Sequence, residues 1–236
     1  NELAALRRAF AVAVERRALR RAPRFPTIKV KNARDVFHTT DEYERVKAEL
    51  PAVLRNLWTV VFWTGWRREE LFGLRWRDVD WEAGTIRVGV NIAKNDEGRE
   101  VPFGVVPALV TALEAQRDYT RAVERRLGHI VEFVFHRNGR QVRSIDAARR
   151  AACRRAGVIA PDGRPQILHD MRRTAARNLT RAGVARHIAM KILGLKTEEM
   201  WRRYAIMETD DLRDGMTKVV QRHAARRTRF KAAGEG

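Results

Sequence analysis

Residues 168–204 read LHDMRRTAARNLTRAGVARHIAMKILGLKTEEMWRRY, and this stretch decides the fold. A helix opens at its start, after the irregular residues 161–166. Gly183 breaks it, a second helix runs to Gly194, and a third covers 198–204 and closes on Tyr204. Working backwards, everything beyond Ser144 reads as helix, with a break at 157–165. Before Ser144 the period changes. Ile86, Val88 and Val90 alternate as in a strand, 101–103 offers the return strand, and Asn95-Asp96-Glu97-Gly98 supplies the hairpin turn. Another short strand, 133–135, leads into the Asn138-Gly139 turn.

Helices resume further upstream. An apolar one over 53–62 runs up to Thr64-Gly65, and a short one follows over 68–74. Thr39-Thr40-Asp41-Glu42 has the form of a capping box, and Tyr43, Val46 and Leu50 follow it at helical spacing. At the start of the chain Leu3, Leu6, Phe10 and Val14 share one face among arginines. They predict a basic amphipathic helix over 2–21, which Pro23 and Pro26 end, and an extended linker over 22–38. The expected fold class is therefore mainly α (α+β), with one small antiparallel β-sheet.

Composition narrows the function. The 236 residues carry 48 Lys and Arg against 29 Asp and Glu, a net charge of +19, which calls for a polyanionic partner. The longest apolar run, 57–63, is far too short to span a bilayer and is interrupted by Thr59, so no membrane role is expected. The single Cys153 excludes a disulfide framework, and the six His never fall at metal-ligand spacing; neither metal nor cofactor is expected. With neither an initiator Met nor a hydrophobic leader, the chain is expected to be a fragment whose N-terminal part is missing.

Four places combine residue types suited to phosphate chemistry, and each has a plain alternative. His169 and Arg172 stand one helical turn apart at a helix N-terminus, where backbone N–H groups favour phosphate; equally, they suit a capping His and a solvated Arg. Arg67 leaves a turn with Glu70 one turn later to brace it, the geometry of a phosphate clamp or of an ordinary surface ion pair. Lys94 opens the hairpin turn, where it can protonate a leaving alkoxide or merely keep strands soluble. Tyr204 lies beside Arg202 and Arg203, whose charge favours a phenolate, although such tyrosines commonly only pack.

Their order is more specific than any one of them. TGWRREELFGLRWRDVD (64–80), NIAKNDEGREVPF (91–103), LHDMRRTAARNLTRAGV (168–184) and ILGLKTEEMWRRYAI (192–206) together resemble the boxes of the tyrosine recombinases, the phage integrase family, over residues 38–216. The resemblance implies a metal-free, cofactor-free transesterification in which Tyr204 attacks a DNA phosphodiester and forms a 3′-phosphotyrosyl link. It implies that Arg67 and Arg172 hold the non-bridging oxygens, that Lys94 is the general acid, that His169 assists proton transfer at the nucleophile, and that Glu70 supports Arg67. It implies a catalytic domain over 31–236, preceded in 1–30 by the last helix of a truncated core-binding domain and a linker. The implied partner is double-stranded DNA, bound by a homo-oligomer, a tetramer, that is a monomer without it; the implied setting is the cytoplasm, with a bacterial, phage or mobile-element gene.

One position departs from the pattern. Leu195 stands where the family usually has His or Trp donating to the scissile phosphate, so the enzyme is slower, or Lys191 or Lys196 substitutes, or the protein has drifted towards inactivity. The rival to a recombinase is an inactive or weakened DNA-binding protein, a helix-turn-helix-like regulator, since 179–204 has that cadence. Its would-be recognition helix opens with Glu198 and Glu199, which DNA phosphates repel. A metal nuclease has only Asp78 and Asp80 as a close acidic pair, and these read more simply as turn formers.

Overall fold

The computed structural model describes residues 2–26, 36–89, 98–204, 212–213 and 215–221. Lys94, the hairpin residues 95–97, part of the 22–38 linker and the basic tail at 226–231 lie outside the described residues. The chain divides into two compact units, Asn1–Ala33 and Arg34–Gly236.

In the first unit, helix α1 covers Glu2–Glu15, shorter than the predicted 2–21. The apolar repeat stops at Val14, and one turn later Arg17 takes a positive φ of 57° while Ala18 N–H returns to Ala13 O, which closes the helix. Phe10 then packs on Phe25 with ring centroids 5.5 Å apart, and Arg7 donates to Pro26 O at 2.8 Å.

The second unit opens with α2 (Thr40–Glu49), and its capping box forms as read: Thr39 Oγ1 accepts from Glu42 N–H, and Glu42 Oε2 accepts from Thr39 N–H. The apolar run continues as α3 (Ala52–Thr64), which is buried nearly all round. Here Trp58 donates to Tyr43 O at 3.3 Å, and Tyr43 stacks on Phe62 and shares a 2.9 Å hydrogen bond with Thr59. Next come α4 (Arg68–Phe72) and a single 3-10 turn over Trp76–Asp78. An antiparallel sheet follows in the order β1 (Val79–Asp80), β2 (Thr85–Val88), β3 (Arg99–Pro102), with Ile86 opposite Val101 and Val88 opposite Arg99. Alternation turns Ile86 and Val88 into the core. The predicted strand reached Val90, but β2 ends at Val88, before Gly89 with its φ of 94°.

Helix α5 (Pro107–Leu127), with 21 residues the longest element, has no counterpart in the sequence reading. The expected strand at 133–135 is only a bridge, Phe133 against Arg75. The Asn138-Gly139 turn instead joins a second small sheet, β4 (His136–Arg137) and β5 (Arg140–Gln141). Helices α6 (Asp146–Arg155), α7 (Leu168–Arg181), α8 (Arg186–Leu193) and α9 (Glu198–Arg202) complete the described fold, broken at the expected glycines. Helix α3 packs against α5 and α7, and α7 against α8.

The buried apolar residues form two clusters. The larger gathers side chains such as Leu54, Leu57, Trp58, Leu71, Ile86, Leu113, Phe135 and Met171 from α2 through α7. At about 1.5–3 kcal/mol for each large side chain fully buried, it dominates stability. The smaller contains Ala175, Ala176, Ala189, Leu193, Leu195 and Trp201, with Tyr204 against its edge.

Candidate active site

The site forms where α3 ends, α4 and α7 begin, and α8 stops. Gly65 closes α3 with a left-handed φ of 59°, and its tightness brings three helices together. A Cβ there would stand 2.8 Å from both Ala175 Cβ and Leu193 Cδ2 and 3.2 Å from the Arg172 Cα. The carbonyl of Gly65 accepts from Arg172 Nη1 at 2.8 Å. Arg172 is buried, yet its Nε and Nη2 have no hydrogen-bond partner among the described residues. Burial, then the charge of Arg67, lowers its pKa to about 10, so it stays cationic at neutral pH. A buried guanidinium with unspent donors is suited to an anion.

The N-terminus of α7 is capped by Asp170, whose Oδ2 accepts from Ile167 N–H at 2.8 Å, and not by His169, contrary to the plain reading of that histidine. His169 is left to face Tyr204, with its Nε2 3.2 Å from the phenol oxygen and ring centroids 5.4 Å apart. Desolvation, followed by the charges of Arg172, Arg173 and Arg67, holds its pKa below 6.5, so the imidazole is neutral at pH 7. Tyr204 lies in a turn just beyond α9 and not at its last helical position, and its backbone N–H donates to Trp201 O. The guanidinium carbons of Arg172 and Arg173 approach its ring centroid to 5.4 and 6.0 Å.

Arg67 precedes α4 and donates through Nη2 to Gly194 O at 2.8 Å and through Nη1 to Glu70 Oε1 at 3.3 Å. Its pair with Glu70 is no ordinary surface contact, because the Glu70 side chain is only 2% exposed. Arg99, at the start of β3, meets the same carboxylate with both terminal nitrogens, at 2.9 and 3.1 Å. Burial pushes the Glu70 carboxyl up, but the hydrogen bond and charge of Arg99, followed by Arg67, outweigh it and leave the pKa below its ordinary value.

Four of the sequence-predicted residues, Arg67, His169, Arg172 and Tyr204, therefore converge with Glu70 behind them, whereas Lys94 lies outside the described residues. Leu195 is 6% exposed and packs in the small cluster with Trp201 and Leu193. Sequence reasoning missed Arg99 and the buried Arg173; only the position of Arg99 beside the hairpin could have drawn attention to it. Among the described residues no three His, Cys, Asp or Glu side chains group as metal ligands would.

The sequence profile of the phage integrase family matches residues 27–210. The XerA recombinase superposes with a TM-score of 0.64 at 23% identity, over 88% of this chain and 72% of that one. The Tn1549 transposon integrase (residues 82–397), solved with circular intermediate DNA, gives 0.65 at 21% identity, over 92% and 77%. A lambda integrase tetramer bound to a Holliday junction gives 0.64 at 20%, over 88% of this chain and 60% of that one. At such identities the likeness concerns the fold. A 93-residue stretch is 31% identical to the defective protein IntQ of Escherichia coli (strain K12), and the match covers 36% of this chain and 23% of the length of that relative.

Proposed function

The chain belongs to the phage integrase family, and from that premise we propose that it is a site-specific DNA recombinase working through a 3′-phosphotyrosyl intermediate on Tyr204. The observation that carries the proposal is the approach of Tyr204 Oη to His169 Nε2, 3.2 Å, beside a buried arginine with unspent donors. Neutral His169 accepts the phenolic proton as the oxygen attacks phosphorus. The P–O5′ bond breaks, and its electron pair leaves with the 5′ oxygen, which takes a proton; in this reading Lys94 supplies it. Arg172 and Arg67 face the non-bridging oxygens and stabilise the extra charge of the five-coordinate transition state, so the step needs no metal. Rejoining is the same path reversed by a 5′-hydroxyl, and the phosphotyrosyl bond conserves the energy.

The net charge of +19 suits a DNA backbone, and the proposed assembly is a homo-oligomer, a tetramer, on duplex DNA in the cytoplasm. No helix among the described residues is long and apolar enough to cross a membrane. The proposed division of the chain keeps 31–236 as the catalytic domain and 1–30 as the end of a DNA-clamping one. A second reading, a weakened or inactive DNA-binding protein, draws on Leu195, which offers no donor to a phosphate.

Tyr204→Phe tests the reading. Incubated with nicked suicide duplexes, the parent should yield a covalent protein–DNA adduct on denaturing gels. The variant should yield none while binding the same duplex within about tenfold, since one hydroxyl contributes only about 0.5–1.5 kcal/mol. Adducts from the Phe variant would move the nucleophile elsewhere, and a parent that binds but never forms adducts would favour the second reading.

A further inference from the structure

The carboxylate of Glu70 is shared between two arginines, and the sharing is unequal. Arg99 takes it with a two-pronged fork at 2.9 and 3.1 Å, whereas the Arg67 side chain has one longer contact of 3.3 Å. The Arg99 Nε donates as well, to Ile192 O at 3.1 Å, so all three kinds of nitrogen in its guanidinium are engaged. Its side chain is 10% exposed. The pocket that holds it depends on Gly194, where a Cβ would stand 2.6 Å from Arg99 Nη1. The Gly194 carbonyl in turn receives Arg67 Nη2 at 2.8 Å. One glycine thus makes room for one arginine and anchors the other.

We infer that Arg99 is a positioning residue that neutralises Glu70, so that Arg67 keeps an uncompensated positive charge for the scissile phosphate. The inference rests on the recombinase reading above. The charge arithmetic is simple: Arg67, Glu70 and Arg99 sum to +1, and without Arg99 the sum is zero. Glu70 would then be a buried anion with Arg67 as its remaining partner, and electrostatics would draw that guanidinium inward, away from DNA. Because β3 begins at Arg99 and pairs with β2, the same contact ties the start of that strand to the arginine pocket.

The test is a cycle of Arg99→Met, Glu70→Gln and the pair combined, with Arg99→Lys alongside, each checked for folding by thermal unfolding. Two quantities are read: the single-turnover rate of Tyr204 adduct formation, and the affinity of the DNA-free protein for inorganic phosphate by calorimetry. Arg99→Met should slow adduct formation roughly ten- to a hundredfold, less than the 10²–10³ typical when a direct oxyanion donor is removed. Phosphate affinity should fall with it. Arg99→Lys, which keeps the charge without the fork, should recover part of both. The combined variant should match Glu70→Gln alone within about twofold, because a counter-charge has no task once Glu70 is neutral.

If Arg99→Met costs the same factor on the Gln background as on the parent, Arg99 is only packing and the inference fails. If the Met single variant does not fold, the combined variant against Glu70→Gln decides instead: a match within about twofold keeps the inference, and a roughly tenfold or larger loss overturns it. A parent without adducts whose phosphate affinity still follows the cycle would sink the recombinase reading and keep Arg99. A parent that forms adducts while both readouts ignore Arg99 would do the reverse.

Discussion

The two apolar clusters are built differently, and the candidate site lies on the seam between them. The larger is made of leucines, valines and aromatic rings from six helices and a sheet; half of the smaller is alanine, in Ala175, Ala176 and Ala189. Helix α7 belongs to both, with Met171 turned to the first and Ala175 and Ala176 to the second. Arg172 is fastened to the carbonyl that ends α3, a helix of the larger cluster, and Glu70, behind Arg67, is buried and twice paired. Tyr204 rests half-buried at the edge of the smaller cluster, with one side-chain hydrogen bond among the described residues, to His169. The cut-and-rejoin reaction proposed above, with Tyr204 as its nucleophile, asks for this division. The phosphate pocket must stay fixed through both steps, while the nucleophile must approach, become bonded to DNA and withdraw. Thinly packed segments open at lower free energy than core helices, which gives the nucleophile that freedom.

The comparison breaks most visibly in the larger cluster. Trp58→Ala removes a fully buried indole and its bond to Tyr43 O, and should cost about 3–5 kcal/mol of global stability. Urea unfolding should show a lower midpoint and faster amide exchange in α3, α5 and α7 together. If exchange accelerated only locally, the larger cluster would not be one cooperative unit.

A smaller loss is expected from Leu195→His. Leu195 is packed, so an imidazole there buries a polar group without a partner, at about 1–3 kcal/mol. The variant should not speed adduct formation, and its faster amide exchange should be confined to α8 and α9. Acceleration with unchanged exchange would show that position 195 reaches the phosphate.

At neutral pH the smallest effect is that of His38, and it sharpens the comparison as the pH falls. His38 is buried against Trp58 with neither ring nitrogen partnered among the described residues, and burial, then Arg149, lowers its pKa to about 3. Between 6.5 and about 3 the unfolded chain therefore binds a proton that the folded chain does not. Stability contributed by neutral His38 falls as pH drops through that window, by at most about 1.4 kcal/mol per pH unit. His38→Phe should flatten this limb of a stability–pH curve measured by denaturant unfolding. An unchanged slope would assign the acid sensitivity to other groups.

What could be read from the sequence was whatever depends on near neighbours. The capping box at Thr39, the alternation of Ile86 and Val88, and the glycine breaks at 183 and 194 all act within a few residues, and all are present. Helix α5 escaped because its buried stripe is interrupted by Gln116 and Thr120. These are satisfied by Val134 O and His136, so burial there does not look like hydrophobicity. Arg99 escaped for another reason. Its partners Glu70 and Ile192 lie 29 and 93 residues away, and nothing local separates a buried clamp from a soluble strand end. The family boxes pointed to Arg67, His169, Arg172 and Tyr204, which lie together, whereas the counter-charge behind them needed three dimensions.

Gly65 has a consequence for mapping this protein by mutation. It contributes no side chain, yet its carbonyl fastens Arg172 and the space where its Cβ would be is filled by Ala175 and Leu193. Every replacement must both strain a left-handed backbone and push α7 and α8 apart. A survey that ranks positions by tolerance would therefore score Gly65 alongside Tyr204, although Tyr204 is the proposed nucleophile and Gly65 is a place where three helices touch. Temperature separates them: damage at Gly65 should ease on cooling, as packing defects do, and loss of the phenol should not.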